Sequence, residues 1–375
     1  MPTWEVDFNC RLNLQDPDIV ASIAKVDALA KVIHGIPLPP AIQHHIDSLN
    51  ILRAVRGTTG IEGTEVSETE VMAIMQATPQ HQVLSEARHR AEQEVRNAQL
   101  VMQFVAWSLK QQPTYPVTEH LISTIHRLTT QDIDYGANDP GVYRSHAVHV
   151  ASYVPPRTHD EVCRLMADFV RWFNEGPPTS WPAAVKAIAA HFFLISIHPF
   201  GDGNGRTARG LESFLLYQGG INARGFYSLA NYYYQNRPEY VAMLDHVRFE
   251  TEGDITPFIR FGLAGLVTEQ DAVHAEILTE VTKIAFRDFA RSQLTTDGKL
   301  GTKPGERMFH FLLGLSEDPV SVDQLRKGGH TLSRLYRGVT GKTLSRDLNY
   351  LSDRQLIKIV NNRITANVEL MQEFM

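Results

Sequence analysis

Twelve consecutive residues carry the chain's densest chemistry: His198-Pro199-Phe200-Gly201-Asp202-Gly203-Asn204-Gly205-Arg206-Thr207-Ala208-Arg209. Three glycines let this backbone turn tightly and approach a ligand closely, so its amides can converge on an anion. Apolar helical patterns flank the run, and the second opens near Asn204, which aims unpaired N–H groups and a positive dipole end at the same point. Arg206 and Arg209 stand three residues apart, placing both guanidinium groups over one helix face and near one polyanion. Asp202 offers a hard oxygen to Mg²⁺. His198 takes up a proton near neutral pH, as a general base for an attacking hydroxyl must. Taken singly, these residues read as a helix-end histidine, a cap and a solvated arginine; together they assemble base, metal ligand, anion cradle and charge clamp. A dinucleotide-binding loop is excluded because a helix precedes the glycines, and a Walker loop because no Gly-Lys-Ser/Thr follows.

Helices must position this loop. In 161–173 the residues Val162, Leu165, Met166, Phe169, Val170 and Phe173 recur at three- and four-residue steps, which predicts a helix with one buried face. The same pattern predicts helices over 19–33, 42–55, 84–109, 117–129, 182–197, 206–218 and 257–267. The exception is 143–155, where Val148, Val150, Tyr153 and Val154 precede Pro155-Pro156 and predict a short hairpin with a free edge. The fold class is therefore mainly α. A hydrophobic share of 43% and a charged share of 21% are those of an ordinary globular chain. The opening residues lack a basic segment followed by an apolar core, no stretch is long enough to span a bilayer, and Cys10 and Cys163 lack metal or redox spacing. These features lead us to expect a cytoplasmic protein with reduced thiols and no membrane contact.

Four regions are expected: an N-terminal helical region over 1–112, a core with following helices over 113–291, a linker over 292–305 carrying Thr295-Thr296-Asp297-Gly298 and Pro304-Gly305, and a C-terminal domain over 306–375. In the last, three helices lead to strands at 356–360 and 363–368 separated by Asn361-Asn362, a pair that tolerates the positive φ of a two-residue turn. That order describes a winged helix-turn-helix. Residues 301–375 hold eleven Lys and Arg against eight Asp and Glu, net +3 in a chain of net −6. DNA binding, with Lys342, Ser345, Arg346 and Asn349 facing outward from a recognition helix, competes here with a protein-binding or homodimerising role.

From His198 to Arg209 the chain matches every specified position of HPFxDGNGRxxR, the signature of the Fic family, which it resembles. The resemblance implies a Fic-type helical core with a β-hairpin flap, ATP as substrate, and transfer of AMP to a Tyr, Thr or Ser hydroxyl of a target protein or of the chain itself. It implies His198 as base, Asp202 as Mg²⁺ ligand, Gly203, Asn204 and Gly205 around the α- and β-phosphates, and Arg206 and Arg209 on the β- and γ-phosphates. Gly141-Val142-Tyr143-Arg144 and the hairpin after it resemble the family's flap, which would align a target segment near Val148 to Tyr153 by strand addition. Asn236 to Tyr240 resembles the stretch lining the adenine pocket, making Tyr240 a candidate contact. Thr58-Thr59-Gly60-Ile61-Glu62-Gly63 fits the family's inhibitory pattern Ser/Thr-x-x-x-Glu-Gly/Asn, in which Glu62 pairs with Arg209 and suppresses transfer. Gly60 departs from the usual choice and lowers helix propensity by about 0.5–1 kcal/mol. Gly205 stands where kinase-like members carry a lysine, which favours AMP transfer. Transfer of UMP or phosphocholine, removal of AMP with Glu62 positioning water, and a nucleotide-sensing DNA-binding regulator remain the alternatives.

Overall fold

Caps written into the sequence start many of the elements in this computed structural model, which describes residues 5–64, 66–76, 86–150, 153–222, 225, 228–315 and 319–374. The Asp16 side chain accepts from the amides of Asp18 and Ile19 to open α1 (Pro17–Gly35), and α2 (Pro40–Ile61), α3 (Glu68–Gln76) and α4 (Glu86–Gln111) follow. Thr118 caps α5 (Glu119–Thr130) and Thr158 caps α6 (His159–Glu175) in the same way. Next come α7 (Ala183–Ile197), α8 (Asn204–Gln218), α9 (Leu229–Gln235), α10 (Arg237–Phe249) and α11 (Thr256–Thr296). The sequence pattern predicts α11 only over 257–267, yet no Pro or Gly interrupts 268–296 and the helix continues.

The chain divides into two compact units, Met1–His274 and Ala275–Met375, with the division falling inside α11. The segment 292–305 holds the end of that helix, a turn, and the start of the next helix. At the centre of the first unit lies α7, of whose 15 residues all but Ala183, Lys186 and Ile195 are buried. A helix apolar on every side must be enclosed. α8 packs against it, and α2, α4 and α5 pack on α8 in turn.

The contact of α2 with α9 is unusually close, and glycine is what permits it. A Cβ at Gly57 would sit 2.6 Å from the Ala230 carbonyl oxygen, and one at Gly60 would sit 2.4 Å from the Tyr234 ring. Gly60 therefore has a packing reason that outweighs its poor helix propensity. Past Glu62 the backbone turns left-handed at Gly63 (φ +94°), with the Gly63 and Thr64 amides donating to Gly60 and Thr59 carbonyls. This glycine ends the helix.

The hairpin expected over 143–155 is reduced to one antiparallel bridge, in which Val150 and Tyr153 exchange both backbone hydrogen bonds. Ala151 and Ser152 lie outside the described residues. Tyr153 is not at a free edge: it is fully buried, and its hydroxyl donates to the Ile195 and Ser196 carbonyls at the end of α7.

In the second unit, α12 (Lys303–Gly314) leads to β1 (Val320–Ser321), α13 (Val322–Lys327), a 3₁₀ turn at Thr331–Tyr336, α14 (Gly341–Asp353), β2 (Ile357–Val360) and β3 (Arg363–Ala366). The three strands form an antiparallel sheet in the order β1-β3-β2. Asn361 and Asn362 carry the positive φ that a two-residue turn requires, +50° and +62°. Leu344, Leu348 and Leu351 of α14 join Met308, Phe311, Leu356 and Ile364 in this unit's own core.

If the α2–α9 contact matters more than helix propensity, Gly57→Ala destabilises the protein by about 1–3 kcal/mol, because the neighbour is backbone and cannot give way. A thermal melt should show the midpoint falling by a few degrees. A rise, as the ~1 kcal/mol propensity gain of alanine alone would produce, would contradict this packing.

Candidate active site

α7 ends on His198 in the left-handed region (φ +53°, ψ 57°), a conformation usually left to glycine or asparagine at helix ends. Its Nδ1 lies 3.2 Å from the Ile195 carbonyl oxygen, which can only accept, so Nδ1 carries the proton and Nε2 holds the free lone pair. Burial pushes the imidazole down to about 4, with the nearby Arg144 and Arg248 acting in the same direction. At neutral pH the ring is uncharged and able to accept a proton.

The loop that follows is clipped at both ends. Asn204 accepts from the Phe200 amide at 2.9 Å and donates to the Phe200 carbonyl at 3.0 Å, so its side chain holds the turn. Gly203 begins α8 with φ +73° and offers no side chain to cap it, which leaves the first-turn amides for a ligand. Asp202 uses Oδ1 twice, accepting from the Gly203 amide at 2.5 Å and from Arg206 Nη2 at 2.7 Å. Asp202 Oδ2 has no bond to the described residues.

Arg206 and Arg209 are both buried. Arg206 Nη1 donates to the Tyr135 hydroxyl at 2.5 Å and lies 3.2 Å from Glu94 Oε1. Arg209 is gripped by the end of α2: Nη2 donates to Glu62 Oε1 at 2.6 Å and to the Thr58 carbonyl at 3.0 Å, and Nε donates to Thr58 Oγ1 at 3.0 Å. Its Nη1 is buried without a hydrogen-bond partner among the described residues. For Glu62, burial is the largest single influence and raises its pKa, but Arg209, Arg206 and the bond to Arg209 together outweigh it and hold the carboxyl below its usual range. A Cβ on Gly205 would lie 2.4 Å from Glu62 Oε1, so glycine is what lets the carboxylate in.

The structure thus gathers His198, Asp202, Gly203, Asn204, Gly205, Arg206, Arg209 and Glu62 around one loop. Tyr240 is buried: its ring stacks on Tyr233 at 4.7 Å, its hydroxyl bonds His191 at 2.9 Å, and only 2% of it is exposed.

Residues 116–216 match the model described as the Fic/DOC family. That part of the chain is similar to a Fic domain. It is 32% identical over 204 residues to protein adenylyltransferase Fic of Drosophila ananassae, a match covering 54% of this chain and 38% of that protein. The Drosophila melanogaster protein of the same name is 30% identical over the same length. The matched stretch thus spans about two fifths of these curated relatives. Among solved structures, a Fic family protein from Desulfovibrio desulfuricans is similar in fold, with TM-score 0.56, 19% identity and 98% of both chains covered. Fic-1 from C. elegans gives TM-score 0.54 at 24% identity, covering 70% of this chain and 73% of that one.

Two residues that hold the Fic loop escaped the reading of the sequence. Glu94 of α4 is 6% exposed; besides Arg206 it takes the Tyr135 hydroxyl at 2.9 Å and the Thr64 hydroxyl. His126 of α5 is fully buried, stacked on Phe200 with centroids 3.6 Å apart. Its Nε2 donates to the Asp202 carbonyl at 2.9 Å, and its Nδ1 accepts from the Gly141 amide at 2.8 Å. One imidazole so joins the loop to the segment leading to the bridge. The available signal was a polar residue on an apolar stripe: His126 follows Ile122 by four, and Glu94 precedes Ala98 by four.

Burial pushes His126 down to about 4. As pH falls from about 6.5 toward 4, the unfolded chain gains a proton that the native ring refuses, and stability drops by about 1.4 kcal/mol per pH unit. Denaturant melts across that window should show a shallower slope for His126→Gln than for the wild type. Identical slopes would mean that the ring is not held neutral.

Proposed function

We propose that the chain transfers AMP from ATP to a hydroxyl of a protein, and that Glu62 restrains this activity. The observation that carries the reading is the capture of Arg209 by Glu62 and Thr58 beside the uncapped start of α8. In the reaction, the target hydroxyl oxygen forms a bond to the α-phosphorus while the bond to the bridging oxygen of the β-phosphate breaks. The hydroxyl proton passes to His198 Nε2, and pyrophosphate leaves with the electron pair. The uncapped amides of Asn204 and Gly205 and the guanidinium of Arg206 would surround the chain of phosphates, and Arg209 would receive the γ-phosphate once Glu62 has withdrawn. With Glu62 in place, carboxylate and γ-phosphate would set like charges together, and ATP would bind out of line for transfer.

Mg²⁺ belongs to this reading. Asp202 keeps Oδ2 free, and no group of three or more His, Cys, Asp or Glu among the described residues is able to hold a metal unaided, so Asp202 would bind the ion together with the phosphates. Bound there, Mg²⁺ would neutralise charge on the phosphates.

A target segment would align on the flap near Val148 to Tyr153, where Val150 and Tyr153 form the bridge. We read the second unit as a winged helix, on the order of its helices and the β1-β3-β2 sheet. We also place the enzyme in the cytoplasm: Cys10 and Cys163 are free, and no helix among the described residues is long and apolar enough to cross a membrane.

With α-labelled ATP, Glu62→Gly should raise incorporation into protein severalfold or more, and adding His198→Ala should then lower it by about 10²–10⁴. Unchanged or reduced incorporation in a folded Glu62→Gly protein would remove Glu62 from this role. Asp202→Ala should shift Mg²⁺ activation to higher concentration; superimposable Mg²⁺ curves would make Asp202 a loop cap only.

A further inference from the structure

We propose that the second unit binds double-stranded DNA through the outward face of α14 and the basic residues bordering it. From Gln324 to Arg346 the chain carries six cations, Arg326, Lys327, Arg334, Arg337, Lys342 and Arg346, and no acidic residue. All six side chains are exposed, and none forms an ion pair with a described residue, whereas elsewhere in this unit Arg307, Arg354 and Lys358 are each paired with a carboxylate. Leaving six like charges together unpaired is unfavourable in the isolated fold, which argues for a polyanionic partner.

The placement suits a duplex. Leu344, Leu348 and Leu351 turn α14 toward the core, so Lys342, Ser345, Arg346 and Asn349, at spacings of three, four and seven, line the opposite face. These four share one surface groove with Arg326 of α13, and with Tyr350 and the exposed carboxylate of Asp353 at its far end. Arg326 also borders an adjoining groove with Arg334 and Arg337. The one carboxylate in the middle of α14, Asp347, is buried and neutralised by Arg307 Nε at 2.8 Å. An exposed helix face with two cations, a hydroxyl and an amide can enter a major groove and offer donors to base edges, while flanking cations on a neighbouring helix and turn meet phosphates.

This inference stands apart from the reading of the Fic loop. The test uses the full chain and a fluorescein-labelled 30-base-pair duplex of mixed sequence, followed by anisotropy at 50 and 200 mM salt. Binding is expected at low salt, weakening steeply with salt by a log–log slope of about −0.9 per phosphate engaged. The double variant Lys342→Ala/Arg346→Ala should lose tenfold or more in affinity and reduce that slope by about two, and Arg326→Ala should act in the same direction. Lys303→Ala, at the start of α12, should match the wild type. AMP incorporation should be unchanged in all of these variants, and thermal melts should verify that each is folded. No binding at 50 mM salt would overturn the proposal, as would equal affinity of wild type and double variant. A wild-type dimer that the double variant converts to monomer, without DNA affinity in either, would assign the face to a second copy instead.

Discussion

The site is organised around one guanidinium. Arg209 is almost wholly removed from water, and burying a cation this deeply costs several kcal/mol unless its donors are satisfied. Three of its donor contacts go to the last turn of α2, to the Glu62 carboxylate and to the carbonyl and hydroxyl of Thr58. That requirement fixes where α2 must end, which in turn explains the glycines around it. Gly57 and Gly60 let α2 lie against α9, Gly63 stops the helix so that Glu62 is its last cap, and Gly205 clears the space the carboxylate occupies. Arg237 Nε completes the end by donating to the Ile61 carbonyl at 2.8 Å.

Around this pair the loop is held by side chains whose hydrogen bonds go to backbone groups. His126 spans the Asp202 carbonyl and the Gly141 amide, and Arg144 donates to the carbonyls of His198, His146 and Pro156. Such backbone contacts fix geometry without competing for an anion. The left-handed His198 fits the same pattern, since a strained residue persists only where its surroundings over-determine it.

Much of this was legible in advance because chemistry and turn geometry both demand particular residue types. The run from His198 to Arg209 could be read for its glycines, its paired arginines and its position between helices. Asn361-Asn362 announced its turn. What could not be read were positions whose role depends on a partner distant in sequence. Glu94 and His126 look like interruptions of apolar stripes until the facing helix supplies Arg206 or the Asp202 carbonyl. Gly60 looked like a weakness because the Tyr234 ring that occupies its empty side is 174 residues away in numbering. Tyr240 lies in a stretch that resembled a ligand pocket, yet packs as a buried ring, and aromatic residues serve both purposes. The length of α11 was underestimated because its amphipathic pattern fades while nothing breaks it.

The central claim, that Glu62 occupies the place of the γ-phosphate at Arg209, is tested most directly by comparing ATP and ADP affinities calorimetrically. In the wild type the two nucleotides should bind about equally, because the extra phosphate finds its arginine taken. In Glu62→Gly, ATP should bind about tenfold or more tightly than ADP, as one charge-assisted contact of about 1.5–3 kcal/mol becomes available. A wild-type preference for ATP as large as that of the variant would contradict the account.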